Sequence, residues 1–425
     1  MSSLLLRHAR LIDPTSDTDR PADVLIRDGV IQAVEETIAD DPSDTKVRDC
    51  TGLVLGPGLV DLYSHSGEPG FEDRETLDSL MAAAMAGGFT RLAILPDTKP
   101  AVDSPAGVEW LRSRESGVGS RESGVGSRGL RLYPWGALTL GVKGEQMVEL
   151  MELSEAGVVG FADGQPIASN ILLRRLLEYG QMLQKPIALY CCDRGLAGNG
   201  SVREGLAALR LGLPDSPVMA ETAPLAALLE CVAELKTPVH VMRVSTQRGV
   251  ELIRAAKAQG LPITASTTWM HLLLDVTAAQ SYDPSLHLDP PLGNPEDQTA
   301  LIQGIQDGTL DAIAVDHTPL TYEEKTVAFS ESPPGAIGLE LALPLLWQTF
   351  VESGQWSALS LWRSLSSHPA RCLNQSPAAI APGQPAEFIL FDPQSTWIVS
   401  PETLKSRSQN TPWLGQEIRG RVLLD

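Results

Sequence analysis

Arg91-Leu92-Ala93-Ile94-Leu95 and Pro186-Ile187-Ala188-Leu189-Tyr190 are short apolar runs without polar alternation. A strand with one wet face alternates; runs of this kind are buried on both faces, as parallel strands are. Working outward, β-rich runs recur at 53–65, 88–96, 130–139, 157–163, 186–192, 238–245, 262–268 and 311–317. Helix-like patterns separate most of them. Asn294-Pro295-Glu296-Asp297 offers an N-cap, a first-turn proline and two acids that suit the helix dipole. Leu301, Ile302 and Ile305 then share a face, and Gly308 closes the helix. A second helix over 224–236 stops before Pro238, since proline disfavours helical geometry in the residue before it. Eight such alternations predict an α/β protein with a (β/α)8 barrel, an architecture of about 250 residues, here over 53–374. Strand-like pieces at 4–6, 23–26, 30–34, 387–391 and 421–424 predict a small β domain built from both ends, 1–52 and 375–425.

Of the 425 residues, 43% are hydrophobic and 20% charged, and 33 Lys+Arg against 53 Asp+Glu give a net charge of −20. That composition excludes whole-chain disorder. An acidic surface without a basic run argues against nucleic acid and against anionic membranes. No apolar stretch reaches the roughly 18–20 residues of a membrane span, and the N-terminus has no signal-peptide pattern. Five cysteines make no disulfide framework in a chain this long. The expectation is a cytoplasmic protein. Residues 113–119 (Ser-Arg-Glu-Ser-Gly-Val-Gly) repeat directly as 120–126, too short and polar a period for a solenoid. They read as a flexible loop between a helix and a strand.

In a barrel, function sits at the C-terminal ends of the strands. Those positions carry Tyr63 and His65, Asp97, Asp163, Tyr190 to Asp193, Arg243, and Asp316 with His317. Tyr63 and His65, two apart, share a face.

Gly56-Pro57-Gly58-Leu59-Val60-Asp61-Leu62-Tyr63-Ser64-His65-Ser66-Gly67-Glu68-Pro69-Gly70 resembles the signature of dihydroorotases, in the amidohydrolase superfamily. The resemblance continues through Leu95-Pro96-Asp97-Thr98-Lys99-Pro100, Asp289-Pro290-Pro291-Leu292, Asp316-His317-Thr318-Pro319 and Asn410-Thr411-Pro412-Trp413-Leu414-Gly415. It implies reversible closure of carbamoyl-aspartate to dihydroorotate at one or two zinc ions, which polarise a carbonyl and lower the pKa of a bound water. The family holds the metal with a His-x-His pair on the first strand, further His on the fifth and sixth, and an Asp on the eighth. A fourth-strand carboxylate can join them.

This chain departs from that pattern. Of the metal set, His65, Asp163 and Asp316 remain; Tyr63, Tyr190 and Arg243 stand where the family has imidazoles. Arginine cannot be deprotonated in a protein, so a guanidinium is hostile to a dication. The substrate contacts differ too. Gly67 replaces the family's Arg, Asp97 and Asp289 replace Asn, and Leu320 replaces His. Asp97 would repel the substrate carboxylate, and Gly67→Arg with Asp97→Asn would rebuild its grip.

Taken alone, His65 reads as a hydrogen-bonded residue at the barrel mouth, and Asp316, the family's general base, as a partner of Arg243 or a loop cap. Asp163 has the same structural reading. Cys191-Cys192 could place at most one thiolate in the mouth, because adjacent strand residues face opposite ways. His271 and His317 lack partners at ligand spacing.

The reading that follows is a non-catalytic dihydroorotase homologue without a cofactor. The resemblance implies a structural role beside aspartate transcarbamoylase, the preceding enzyme of de novo pyrimidine synthesis; self-association stays open. An active zinc-dependent cyclic-amide hydrolase with a reduced site at His65, Asp163 and Asp316 is the first alternative. A small-anion binder using Arg243 is the second.

Overall fold

The computed structural model describes residues 3–39, 45–118 and 129–424. Eight parallel strands form the barrel: Leu59–Ser64, Phe89–Ile94, Arg131–Pro134, Phe161–Ala162, Ile187–Tyr190, Val239–Met242, Ile263–Thr268 and Ala312–Ala314. Successive members pair in parallel, the first two with register shifts after Leu59 and after Asp61, and a bridge between Gly136 and Phe161 joins the third to the fourth. The last meets the first where the backbone amide of His65 donates to His317 O (2.8 Å) and that of Val315 to Asp61 Oδ1 (2.7 Å).

The barrel interior is built from unequal residues. Ala93, Ala162, Ala188, Ala312 and Ala314 are small enough to admit Trp135, Tyr63 and Tyr190. The Trp135 indole N–H satisfies itself on Leu62 O at 2.8 Å, as a buried indole must. A larger apolar layer lies between the strands and the surrounding helices. The helix Pro295–Gln306 begins as predicted, the Asp297 carboxylate accepting the Asn294 amide (2.8 Å) and Leu301 buried. The helix predicted over 224–236 starts earlier, at Met219, and carries Pro224 inside it. Proline has no N–H, which leaves a carbonyl one turn back free. Ala220 O, so freed, accepts the Asp193 amide at 2.7 Å and ties the fifth-strand loop to this helix.

The predicted run 53–65 is two strands. Val54–Pro57 leaves the barrel and enters a seven-stranded sheet, ordered Glu417–Leu423, Phe388–Ile398, Val54–Pro57, Ser3–Asp13, Thr18–Arg27, Val30–Glu35, with Thr45–Asp49 also on Ser3–Asp13. The break falls at Gly58, where a Cβ would lie 2.1 Å from Thr90 Oγ1. Both ends of the chain thus meet in one sheet, and its reach into 54–57 moves the sheet's edge past residue 52. The Arg91 guanidinium forks onto Glu387 (2.7 and 3.0 Å) and joins sheet to barrel. The repeated segment is not wholly a loop: its first copy runs on the helix Pro105–Val118 as far as Val118. Its remainder, 119–126, lies outside the described residues.

Candidate functional site: the barrel mouth

Arg243 follows the sixth strand with φ 55°, and Asp316 follows the eighth with the same φ. A left-handed conformation costs about 1–2 kcal/mol for a residue with a Cβ, so surrounding contacts must hold both. They do. Arg243 Nε and Nη2 donate to the two oxygens of Asp316 at 2.8 and 2.6 Å, and Nη1 donates to Gly164 O at 2.8 Å. The guanidinium lies over the rings of Tyr63 (5.5 Å) and Tyr190 (5.2 Å), within cation–π range. The Tyr63 hydroxyl accepts the Arg243 amide (3.1 Å) and meets Ser266 Oγ at 2.9 Å. Arg243 is 3% exposed.

His65 stands beside this fork. Its Nδ1 is 2.6 Å from Asp97 Oδ2, and its Nε2 lies 3.6 Å from Asp316 Oδ1 and 3.2 Å from Arg243 Nη2. Burial opposes charge on the ring, but the Asp97 and Asp316 carboxylates outweigh it and raise the His65 pKa to about 9. The 3.2 Å approach would suit a neutral ring accepting from the guanidinium; with carboxylates on two sides we assign the protonated ring, both N–H groups facing acids. Burial would raise the Asp316 carboxyl, yet Arg243 and His65 bring it down to about 2. Two cations and two anions therefore neutralise each other. Asp97 is no free repulsive charge, as the sequence suggested, but the counter-ion of His65.

A second cluster adjoins the first. The Tyr190 hydroxyl donates to Asp289 Oδ1 (2.7 Å), and Arg194 Nη2 donates to Asp289 Oδ2 (2.6 Å). Three partners were not foreseen: Arg194, Ser266, and the buried His240, which lies 2.8 Å from Ser266 Oγ and whose pKa burial lowers to about 3. A serine-threonine strand, Ile263–Thr268, was the only signal for the last two.

Asp163 does not join the cluster. Its carboxylate accepts the amides of Leu138 (2.7 Å) and Thr139 (3.1 Å) and the Thr139 hydroxyl (2.5 Å), although burial raises its pKa to about 6. Leu320 is buried, its amide donating to Asn410 Oδ1. Burial pushes the thiol pKa of both Cys191 and Cys192 up, against thiolate formation. His271 sits between Thr268 and Pro290 O, and His317 beside Glu75. Gly67 overturns the idea of rebuilding a grip there. A Cβ at Gly67 would lie 2.2 Å from Glu75 O and 2.6 Å from Phe71 O, because the loop backbone folds directly over it.

The locus does not fit a divalent cation. A fixed positive charge holds both oxygens of Asp316 and abuts His65 Nε2, and phenols replace imidazoles. Among the described residues no group of three or more His, Cys, Asp or Glu is arranged to hold a metal ion. The remaining cleft at the mouth measures about 90 Å³, against roughly 300–1,000 Å³ for small-molecule sites.

The fold is a (β/α)8 barrel with a polar cluster at the C-terminal ends of its strands. Among solved structures, an L-hydantoinase (dihydropyrimidinase) from Arthrobacter aurescens matches with a TM-score of 0.84 at 21% identity, over 99% of this chain and 94% of that one. A family model described as Dihydro-orotase-like matches residues 52–247. A probable dihydroorotase-like protein of Synechocystis is 46% identical over 434 residues, covering 97% of each chain. A dihydroorotase of Pelobacter propionicus is 36% identical over 424 residues, covering 99% of this chain and 97% of its own. This chain belongs to the dihydroorotase family of the amidohydrolase superfamily. No helix among its described residues is long and apolar enough to cross a membrane.

Proposed function

We propose that this chain is a non-catalytic member of the dihydroorotase family and acts as a structural partner of aspartate transcarbamoylase in pyrimidine synthesis. One observation carries the loss of catalysis: Arg243 grips Asp316 with both arms of its guanidinium, at the point where a zinc ion and its activated water would need that carboxylate. The scaffold role is supported by the rest of the molecule, where barrel, caps and terminal sheet are intact while the mouth is narrowed to a cleft of about 90 Å³. A reduced zinc site would need Asp163 to converge with His65 and Asp316, and Asp163 is engaged elsewhere. An anion at Arg243 would have to displace Asp316.

The test has two parts. Purified protein is expected to hold far less than one zinc per chain and to leave dihydroorotate unhydrolysed; stoichiometric zinc with turnover would overturn the non-catalytic reading. On co-expression with aspartate transcarbamoylase the two chains are expected to co-elute in size-exclusion chromatography. Separate elution at micromolar concentration would overturn the scaffold role.

A further inference from the structure

The motif at 410–415 takes no part in the ion-pair cluster at the mouth. It lies in a loop, 400–414, that joins the sheet strands Phe388–Ile398 and Glu417–Leu423 and has no helix or strand of its own. The loop closes on itself: the Val399 amide donates to Gln416 O (2.9 Å) and the Gly415 amide to Val399 O (2.7 Å). Gly415 takes φ 80° at that neck. Surface loops whose ends meet in this way pack as compact units, and this one can lift while its two strands stay paired.

Its sequence alternates. Lys405, Arg407 and Gln409 are exposed while Ser406, Ser408 and Asn410 are buried, the period of an extended chain with one face inward. The inward face is polar. The Ser408 hydroxyl faces Arg74 O (2.8 Å) and Leu320 O (3.0 Å). Asn410 Nδ2 donates to Thr318 O (2.9 Å) and Gly335 O (3.2 Å), and its Oδ1 accepts the Leu320 amide (3.2 Å). The Arg407 amide donates to Glu75 Oε1 and its Nη1 to Glu72 O, both at 2.9 Å. The loop therefore spans the segment after the first strand, which folds over Gly67, and the segment after the eighth, whose Thr318 and Gly335 line the cleft. Hydrogen bonds exchanged against water stabilise only modestly. Seating the loop also brings two buried carboxylates onto one residue, since Ser406 donates its amide to Glu340 (3.0 Å) and its hydroxyl to Glu75. Burial and then Glu75 disfavour charge on Glu340, which works against the seated position.

We infer that the loop 400–414 is a gate over the barrel mouth. Seated, it holds the first-strand and eighth-strand segments together; lifted about its neck, it frees both and opens the cleft while sheet and barrel stay folded. Openings of this local kind lie below global unfolding on the free-energy scale of a protein. The gate is a property of this chain by itself and stands apart from the proposed partner.

Hydrogen exchange read by mass spectrometry on the full chain, at graded urea concentrations below unfolding, tests it. In the wild type, amides of 67–76 and 318–337 are expected to exchange through one opening shared with 400–414. Those of the strands Ile187–Tyr190 and Val239–Met242 should exchange only by global unfolding, with a steeper dependence on urea. Asn410→Ala and Ser408→Ala should speed exchange at least about tenfold, the weight of one or two lost hydrogen bonds, and by the same factor in 400–414 and in both mouth segments. Gln409→Ala, at an exposed position, should leave the rates as they are. If the mouth segments exchange together with the barrel strands, or independently of 400–414, the gate inference fails; this wild-type result decides even where a variant does not fold. Acceleration confined to 400–414 in Asn410→Ala, or equal acceleration by Gln409→Ala, would overturn it as well.

Discussion

Arg243 carries more of the mouth than any other side chain. Removing one member of a buried ion pair costs about 3–5 kcal/mol, because the remaining charge is left without its counter-ion. Arg243→Met is expected near the lower end, since His65 stays within reach of Asp316. At roughly 2 cal/mol/K of unfolding entropy per residue, about 3 kcal/mol lowers the melting temperature of a chain this size by about 3–4 °C. Differential scanning calorimetry reads it, and an unchanged melting temperature would mean that the fork contributes nothing. His65 adds a pH signature. Its folded pKa of about 9 lies above the ordinary 6.5, so its contribution is fully present below pH 6.5 and lost as pH rises through about 9. The stability difference between wild type and His65→Gln should therefore shrink across that window. NMR titration of the ring checks the premise, and a His65 pKa at or below 6.5 would refute it.

On the proposed non-catalytic reading, the loop after the first strand is the element that restored metal ligands would leave unrepaired. Tyr63→His, Tyr190→His and Arg243→His together place imidazoles at strand ends and remove the obstructing guanidinium, so zinc should bind. Turnover should not return, even with Gly67→Arg and Asp97→Asn added, because the backbone at Phe71 and Glu75 occupies the space a side chain at 67 would enter. Dihydroorotate hydrolysis by the five-fold variant at rates normal for an active relative would show that the loop yields. Nothing in the identity of Gly67 announces this: glycine tolerates close approach, but which backbone approaches is decided by the loop's route. The barrel strands, by contrast, were legible, since burial on both faces leaves a continuous apolar run such as residues 92–95. Their limits were less so. The run 53–65 reads as one strand because both halves are buried, and what divides it at Gly58 is their different partners, the terminal sheet for Val54–Pro57 and the barrel for Leu59–Ser64. At the site, the family pattern located Arg243 and Asp316, while the turn of Asp163 toward Leu138 and Thr139 depends on backbone amides that have no sequence signature.

At the scale of the whole molecule, the terminal sheet and the barrel share structure and are not merely tethered. Val54–Pro57 lies in the sheet, and Leu59 starts the barrel one residue after Gly58. Trp362 Nε1 donates to Pro57 O (3.0 Å) and Ser366 Oγ to Gly58 O (2.7 Å), holding that junction. The Arg91–Glu387 fork crosses it with both side chains below a tenth exposed, and Thr90 Oγ1 adds a third donor to Glu387 at 2.9 Å. Arg91→Met would leave the Glu387 carboxylate buried with the Thr90 hydroxyl as its side-chain donor among the described residues and Arg131 as the nearby cation, at a cost again of about 3–5 kcal/mol. Where two domains are held mainly by one ion pair, cutting it should let them melt separately. Here the continuous strand and the Trp362 and Ser366 contacts survive the substitution. The expected result is a lower melting temperature with a single calorimetric transition. Two resolved transitions in Arg91→Met would mean that sheet and barrel are independent folding units joined chiefly by this pair.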